Sequence, residues 1–298
     1  MRILITGLML VFFAACSSGN KNEDQAFVDA LDETGLEPEV ISGEVNDILH
    51  RIPSPLEISV LLKESGKKYN AEFLNSPENL SRYNTNYKRA LNLGIYGTDL
   101  GYTNIYEQSQ DGIKYMSTIK DLANELNIGQ FFEMETIGRL VSNSNNLDSL
   151  LLITTQNFNS INQYLQSQNR SHLSVLFLTG GWLEALHITC EVAKTNPDNE
   201  QLQETIGAQK IILENIIRLL SFYKDNDRNM AALMKDLEGL KQAFDKVTIT
   251  TTYQPSTFEV VDGVMVVKDN SSSTVAITQA DIESIRSNTQ NLRSKIIS

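Results

Sequence analysis

The stretch HLSVLFLTGGWLEALHITC, residues 172–190, decides the fold, because apolar side chains cover most of the circumference of the helix that it predicts. A helix that is apolar on all sides is buried, either in a membrane or at the centre of a protein. The run is short and contains several polar side chains, which favours the centre of a protein. These polar residues are Ser174, Thr179, Glu184, His187 and Thr189. We therefore expect a central helix that other helices enclose.

The helices expected around it follow amphipathic periodicity. In residues 227–247 the apolar positions alternate steps of three and four, which is typical of a helix with one buried stripe, and Asp227 is a suitable N-cap. Residues 115–126 and 147–165 repeat this spacing. Residues 210–223 are apolar enough to predict a second enclosed helix. The fold class predicted is mainly α, an antiparallel multi-helix bundle.

One segment is also compatible with a different arrangement of the helices. The phrase AKTNPDNEQ, residues 193–201, resembles the end of a tetratricopeptide unit, where proline and asparagine separate stacked helix pairs. No second copy follows at the expected period of about 34 residues. A stack of helix pairs without that family's sequence code is the alternative arrangement.

Residues 78–110 contain no proline and predict one long helix with three glycines, Gly94, Gly97 and Gly101. A glycine inside a helix costs about 1 kcal/mol relative to alanine. We expect the close approach of another backbone to offset this cost, because a missing side chain leaves room for it. In the central stretch, Gly180 and Gly181 predict the same kind of contact.

The pattern changes to β after Val247. VTITTTY and STFEVVDGVMVVKD are rich in valine and threonine, and Asp262-Gly263 separates two valine-rich arms as in a two-residue hairpin turn. Thr278, with Asp281 three residues later, predicts a capping box for a final helix. An isolated hairpin is marginally stable in water, so we expect it to pack on the bundle or on a partner. A partner strand could add to its edges.

The first 16 residues, MRILITGLMLVFFAAC, have the parts of a secretory signal: Arg2, an apolar run and small residues before Cys16. The ending FAAC resembles the lipobox of bacterial lipoproteins, in which the cysteine is lipidated and becomes the first mature residue. This resemblance covers about 20 residues and implies that the membrane is a partner through a lipid anchor at Cys16. Ser17 resembles the residue that follows the cysteine in outer-membrane lipoproteins. The body is then expected at the periplasmic face or at the cell surface.

Four parts are predicted along the chain: a signal peptide (1–16), an acidic flexible tether (17–43), a helical bundle (44–247), and a β-hairpin with a C-terminal helix packed on the bundle (248–298). The full chain carries 25 Lys+Arg against 37 Asp+Glu, and loss of Arg2 with the leader leaves 24 against 37, a net charge of -13. Nucleic acid is excluded as an expected partner, because phosphate binding needs clustered basic residues. After processing Cys190 is the only cysteine, so no internal disulfide is expected.

Glu184 and His187 are three residues apart on one helical face, which is the spacing that di-metal bundle proteins use. Asp47 and His50 have a similar spacing, but a di-metal site also needs further glutamates, and Glu214 is the only attractive candidate. We therefore predict no metal and no cofactor. Glu184 and His187 are interpreted as buried polar groups with protein partners, since buried polar groups must be satisfied.

A second cluster centres on Asp99, which has tyrosines on the neighbouring turns of its predicted helix. Tyrosine rings and a carboxylate can line a pocket for a small molecule. The alternative is a core acid that accepts a hydrogen bond from a tyrosine. The candidate ligand-pocket residues are Asp99, Tyr96, Tyr102, Tyr106, Trp182, Glu184 and His187.

No catalytic motif supports an enzyme. Cys190 lies three residues from His187 in apolar surroundings, and neither a Walker loop nor a GxSxG elbow occurs in the sequence. We favour a membrane-anchored helical lipoprotein that acts as a non-catalytic binding or scaffold module for an envelope protein or a small ligand. The alternative is a metal-dependent enzyme that uses the Glu184 and His187 pair. The sequence is similar in style to exported lipoproteins with helical bodies.

Overall fold

The structure, a computed structural model, describes residues 65–133, 147–261, 264–268 and 270–298, together with 44–45, 47–49, 52, 58 and 61–63. The predicted signal peptide, Cys16 and the tether lie outside the described residues, as do His50 and the Asp262-Gly263 turn. Residues 44–45, 47–49, 58 and 61–63 are helical. The longer helices are α1 (Asn86–Ile105), α2 (Ser109–Glu125), α3 (Leu147–Ser167), α4 (Ser171–Lys194), α5 (Glu200–Ser221), α6 (Arg228–Ala243) and α7 (Gln279–Ile297). Short 3-10 helices cover Ala71–Phe73, Pro77–Arg82 and Gly129–Phe132. The strands are β1 (Thr248–Thr252), β2 (Thr257–Val261), β3 (Val264–Lys268) and β4 (Ser272–Ala276).

The mainly α bundle with a C-terminal hairpin and a final helix is confirmed. Its centre is α4, which contacts α1, α3, α5 and α7. Of the helices that the structure describes, α4 alone has the length and the apolar composition to cross a membrane. Its apolar 18-residue stretch is nevertheless 94% buried inside the protein. The prediction of an enclosed central helix is confirmed, because neighbouring helices cover it on all sides.

Two glycines hold α1 and α4 against each other. A Cβ atom added at Gly94 would overlap the carbonyl oxygen of Phe177, and one added at Gly180 would overlap the carbonyl oxygen of Leu91. The prediction of close packing is confirmed at both positions, since any side chain there would push the two backbones apart. At Gly97 an added Cβ would make only an ordinary contact, at 3.8 Å from the Phe177 ring.

The predicted single helix over residues 78–110 is wrong in its bounds. A 3-10 helix ends at Arg82, and α1 begins at Asn86 after the Thr85 side chain accepts a hydrogen bond from the backbone N–H of Lys88 at 3.2 Å. The helix ends at Ile105, and Glu107 takes a positive φ of 60°. Local capping therefore interrupts a segment that contains no proline.

The prediction that residues 210–223 are enclosed is also wrong. Ile211 is 49% exposed, and Glu214 forms a surface ion pair with Lys241 of α6 at 3.1 Å. Only one stripe of α5, which includes Leu213 and Ile216, is buried. Composition alone does not distinguish an enclosed helix from one that buries a single stripe, because exposure depends on how many neighbours a helix has.

The C-terminal strands form two antiparallel pairs, with β2–β3 nested in sequence between β1 and β4. β2 and β3 pair with Phe258 opposite Val267 and Val260 opposite Met265, which confirms the predicted hairpin. β1 pairs with β4, which was not predicted, and this pair contacts α5. The contact is close, since a Cβ atom at Gly207 would overlap the Val275 side chain.

The last helix, α7, begins with the predicted capping box. The Thr278 hydroxyl accepts a hydrogen bond from the Asp281 N–H at 3.2 Å, and the Asp281 carboxylate accepts one from the Thr278 N–H at 3.1 Å. α7 contacts α4, α6, α1 and α5. An ion pair between Lys295 and Asp236 also joins it to α6. The C-terminal helix is therefore part of the bundle and follows directly after the strands.

Candidate functional site

The central polar contact of the bundle joins Glu184 on α4 to Arg293 on α7. The Arg293 guanidinium donates from Nε to Oε2 of Glu184 at 2.5 Å and from Nη2 to Oε1 at 2.6 Å. Both side chains are buried. Burial by itself disfavours the charged form of Arg293, but the adjacent carboxylate outweighs this effect and raises the pKa of Arg293. Glu184 therefore has a guanidinium on both of its oxygens.

A second ion pair repeats this contact seven residues along both helices. Arg286 donates from Nη1 to Oε1 of Glu191 at 2.8 Å, and Arg286 also pairs with Glu283 on its own helix. Glu191 follows Glu184 by seven residues on α4, while Arg286 precedes Arg293 by seven on α7. Because the order is reversed between the helices, α4 and α7 run antiparallel with two matching Glu–Arg contacts.

Asp99 on α1 is fully buried beside this pair. Its Oδ2 atom accepts a hydrogen bond from the backbone N–H of Asn75 at 3.2 Å. Its Oδ1 atom has no hydrogen-bond donor among the described residues. Burial raises the pKa of the Asp99 carboxyl well above its usual range, and the charge of Glu184 raises it further against the opposing effect of Arg293. The tyrosine-to-Asp99 hydrogen bond considered from the sequence does not appear among the contacts of these residues.

His187 lies one turn after Glu184 on α4 and is 6% exposed. Its ring hydrogen-bonds the backbone of Phe73, whose carbonyl oxygen also accepts from Arg293 Nη2 at 3.1 Å. The Nδ1 atom has no partner in the described part of the chain. Burial lowers the pKa of His187, although the nearby Glu184 carboxylate opposes this shift. The imidazole is therefore a neutral buried group.

Cys190 is a completely buried free thiol. Burial raises its pKa above the usual value for cysteine, so the nucleophilic thiolate is disfavoured. The described residues contain no group of three or more His, Cys, Asp or Glu side chains that could hold a metal ion. Glu214, the third metal candidate, lies on the surface with Lys241.

The candidate tyrosines line the same interior with their hydroxyls directed at backbone groups. Tyr96 donates to the carbonyl oxygen of Ser76 at 2.8 Å, and Tyr106 donates to that of Leu62 at 3.0 Å. Tyr102 accepts from the backbone N–H of Asn70 at 3.3 Å, and its ring centre lies 4.8 Å from that of Tyr106. These rings tie the segment before α1 to the helix itself. Tyr96 and Tyr102 are fully buried.

Trp182 is buried between α4 and α5, where its indole N–H donates to Oε1 of Gln209 at 3.0 Å. Of the predicted pocket residues, the structure brings Asp99, Glu184 and His187 together around Arg293, and Trp182 makes its polar contact with another helix. Sequence reasoning missed Arg293. One signal in the sequence could have indicated it: Glu184 and Glu191 are seven residues apart, and so are Arg286 and Arg293.

Among the described residues, three of the six exposed large apolar side chains lie in or next to the β-hairpin, and the other three lie singly on α2, α3 and α5. Phe258 of β2 and Met265 of β3 are each 68% exposed, and Tyr253 between β1 and β2 is 78% exposed. Phe258 and Met265 lie on one face of the hairpin, because they are diagonal neighbours in the register. Within the described residues, β2 pairs only with β3, so each strand keeps one edge without a strand partner.

Comparison with known proteins was made by family models, by curated sequences and by solved structures. No family model, no curated protein and no solved structure matches this chain.

Proposed function

We propose that this protein is a lipid-anchored, non-catalytic binding module of the outer membrane that recruits an envelope protein through its β-hairpin. The observation that carries the proposal is the contrast between the two groups of candidate residues. The polar groups suited to chemistry are buried, with Glu184 paired to Arg293, whereas large apolar side chains are exposed on the hairpin. The anchor rests on the sequence pattern that ends at Cys16.

The burial and the hydrogen bonds of the reactive groups support a non-catalytic role. Both oxygens of Glu184 accept from Arg293, and the buried Cys190 thiol has a raised pKa. A general acid or base must come within hydrogen-bonding distance of its substrate. Fully buried side chains with protein partners do not meet that condition in this conformation.

The binding role is supported by the composition and the edges of the hairpin. Exposed apolar patches that are larger than scattered single residues mark interaction sites. Phe258 and Met265 form such a pair on one face, and the strand edges next to them offer backbone hydrogen-bonding groups. An extended peptide that adds as a third strand satisfies those groups and covers the apolar face.

The partner segment that fits is an extended strand with apolar residues on one face and basic residues near it. A basic segment fits because the chain carries a formal net charge of -12. A lipid bilayer fits less well, because hydrocarbon cannot satisfy the unpaired backbone groups of a strand edge. We therefore favour a protein strand.

Photocrosslinking in intact envelope membranes tests this function. A photoreactive amino acid replaces Phe258 in the full-length chain, and the matched control carries it at Ile113 on α2, which is 71% exposed. We expect one dominant envelope protein, crosslinked within an extended apolar segment, from position 258 alone. Equal adducts from both positions, adducts to lipid only, or adducts to a second copy of this chain would contradict the proposal.

The anchor needs its own test. Radiolabelled palmitate should enter the wild-type chain and be absent from the Cys16→Ala variant. Crosslinking from position 258 in detergent extract separates the two parts of the proposal, because partner binding should survive when the membrane is removed. A wild-type chain that takes up no label would contradict the anchor while leaving the hairpin result intact.

A further inference from the structure

Two carboxyl groups and one guanidinium share the interior between α1, α4 and α7. Asp99 and Glu184 are fully buried, and Arg293 is 7% exposed. With both carboxyls ionised the three groups carry a net negative charge, and with one proton added they are neutral. A buried charge without a partner is strongly disfavoured. The charge count therefore favours one proton in this cluster.

Among the residues that the structure describes, no other group that faces Asp99 supplies a second positive charge. The imidazole of His187 is neutral by burial. The remaining neighbours are hydroxyl and amide groups on α1, on α2 and on the segment before α1. The described groups that interact with Asp99 include Glu184, Arg293, Asn75, Tyr69, Tyr96 and Tyr115. Arg293 is the single cation of this set.

The hydrogen-bond pattern indicates where the proton lies. Both oxygens of Glu184 already accept from Arg293. Asp99 accepts from Asn75 with Oδ2, and Oδ1 meets no donor in the part of the chain that the structure describes. The Asp99 and Glu184 side chains are close enough to hydrogen-bond each other. Two carboxyl groups form that bond only when one of them is protonated.

We propose that Asp99 is protonated and hydrogen-bonds the Glu184 carboxylate, and that this proton locks the C-terminal helix α7 onto α4. Arg293 of α7 then balances the single remaining negative charge. Loss of the proton leaves two buried carboxylates with one guanidinium, and opening of α7 admits water to them. Only β4 separates the β-hairpin from α7 in the chain, so opening of α7 would release the end of the segment that carries the proposed binding surface. The inference itself holds whether or not that surface binds a partner.

Infrared spectroscopy of the full chain in deuterated buffer tests for the proton. At pH 7 we expect a protonated-carboxyl C=O band in the wild type and its loss in Asp99→Asn. The matched control is Asp121→Asn on the exposed face of α2, which should keep the band. A wild-type spectrum without the band, or a band that survives in Asp99→Asn, would overturn the assignment.

Hydrogen–deuterium exchange, corrected for the intrinsic pH dependence of amide exchange, tests the lock. At pH values between the usual and the raised pKa of Asp99, the protein binds one more proton when α7 is packed on α4 than when α7 is detached. The opening constant of residues 279–297 should therefore rise about tenfold per pH unit in that window. In Asp99→Asn this rise with pH should be absent. Equal slopes in both proteins would refute the lock.

Two further measurements keep the test decisive. Residues 228–243 of α6 report global unfolding, which releases the same proton, so α7 should open with a larger opening constant than α6. Equal opening constants in α6 and α7 would overturn the specific role of α7. If Asp99→Asn does not fold, the wild type alone decides, because the rise of the α7 opening constant should level off at the pH where the infrared band is half lost. A rise that continues well above that pH, or that ends before the band declines, would refute the proposal.

Discussion

Arg293 donates hydrogen bonds to both oxygens of Glu184 across 109 residues of sequence, and Arg286 repeats the contact with Glu191 seven residues away on each helix. The first pair is buried, whereas side-chain exposure in the second pair is 13% for Arg286 and 16% for Glu191. Each pair joins an arginine of α7 to a glutamate of α4, and Arg286 also pairs with Glu283 of its own helix. They therefore allow a direct comparison of buried and partly exposed ion pairs.

We predict that Arg293→Met lowers the free energy of unfolding by about 3–5 kcal/mol at neutral pH, because Glu184 is left as a buried charge without a partner. Arg286→Met is the matched control and should cost about 1 kcal/mol or less, since water reaches that pair. Urea unfolding measures both. The double variant Arg293→Met with Glu184→Gln should regain most of the loss, and a double variant as unstable as Arg293→Met would contradict the explanation.

The buried imidazole predicts a dependence of stability on acid pH. The pKa of His187 is lower in the folded protein than its usual value of 6.5, so the unfolded chain binds more protons between the two values. The stability due to neutral His187 is full above pH 6.5 and is lost as pH falls through the folded pKa. We expect His187→Gln to reduce this dependence in urea unfolding between pH 7.5 and 5. His172→Gln is the control, and an equal change in both variants would argue against the assignment to His187.

The glycine contacts predict that glycine-to-alanine substitutions change stability in opposite directions at two sites. Gly180→Ala should destabilise the protein by about 1–3 kcal/mol, because the new Cβ overlaps the Leu91 carbonyl of α1. Gly239→Ala in α6 should stabilise it by about 0.5–1 kcal/mol, because an added Cβ meets no atom within 4 Å and alanine is the better helix former. Thermal unfolding measures both. A neutral Gly180→Ala variant would mean that α1 and α4 are not in the close contact described.

The buried thiol predicts slow chemical modification. Burial both hides Cys190 and raises its pKa, so a thiol reagent should reach it only after the core opens. We expect labelling in native buffer at the rate of unfolding and rapid labelling in urea. The experiment uses the Cys16→Ala chain, in which Cys190 is the single thiol, and Ile113→Cys on the same background is the exposed control. Native labelling of Cys190 as fast as that of the control would refute its burial.

Local signals in the sequence were sufficient for several elements. Residues 172–190 are apolar on nearly all sides, so burial followed from composition and is confirmed in α4. The Thr278 and Asp281 capping box and the β2–β3 hairpin depend on residues close in sequence, and both are confirmed. The close packing of Gly94 and Gly180 was also predictable, because a helix interior retains glycine at a cost unless another backbone needs the space.

Other features depend on contacts between distant segments. The exposure of Ile211 reflects the number of helices around α5, and the pairing of β1 with β4 joins strands on either side of a hairpin. The candidate site shows this most clearly. The sequence identified Asp99, Glu184 and His187 as polar residues in apolar surroundings, but it did not identify Arg293 as their common neighbour.

The sequence by itself determined most of the helical segments, the β2–β3 hairpin and the central position of α4, because periodicity and capping are local properties of the chain. Tertiary structure alone decided what the buried acids do. The charge balance around Glu184 and Asp99 depends on a guanidinium that the last helix brings to them, and protonation in a dry interior responds to all neighbouring groups at once.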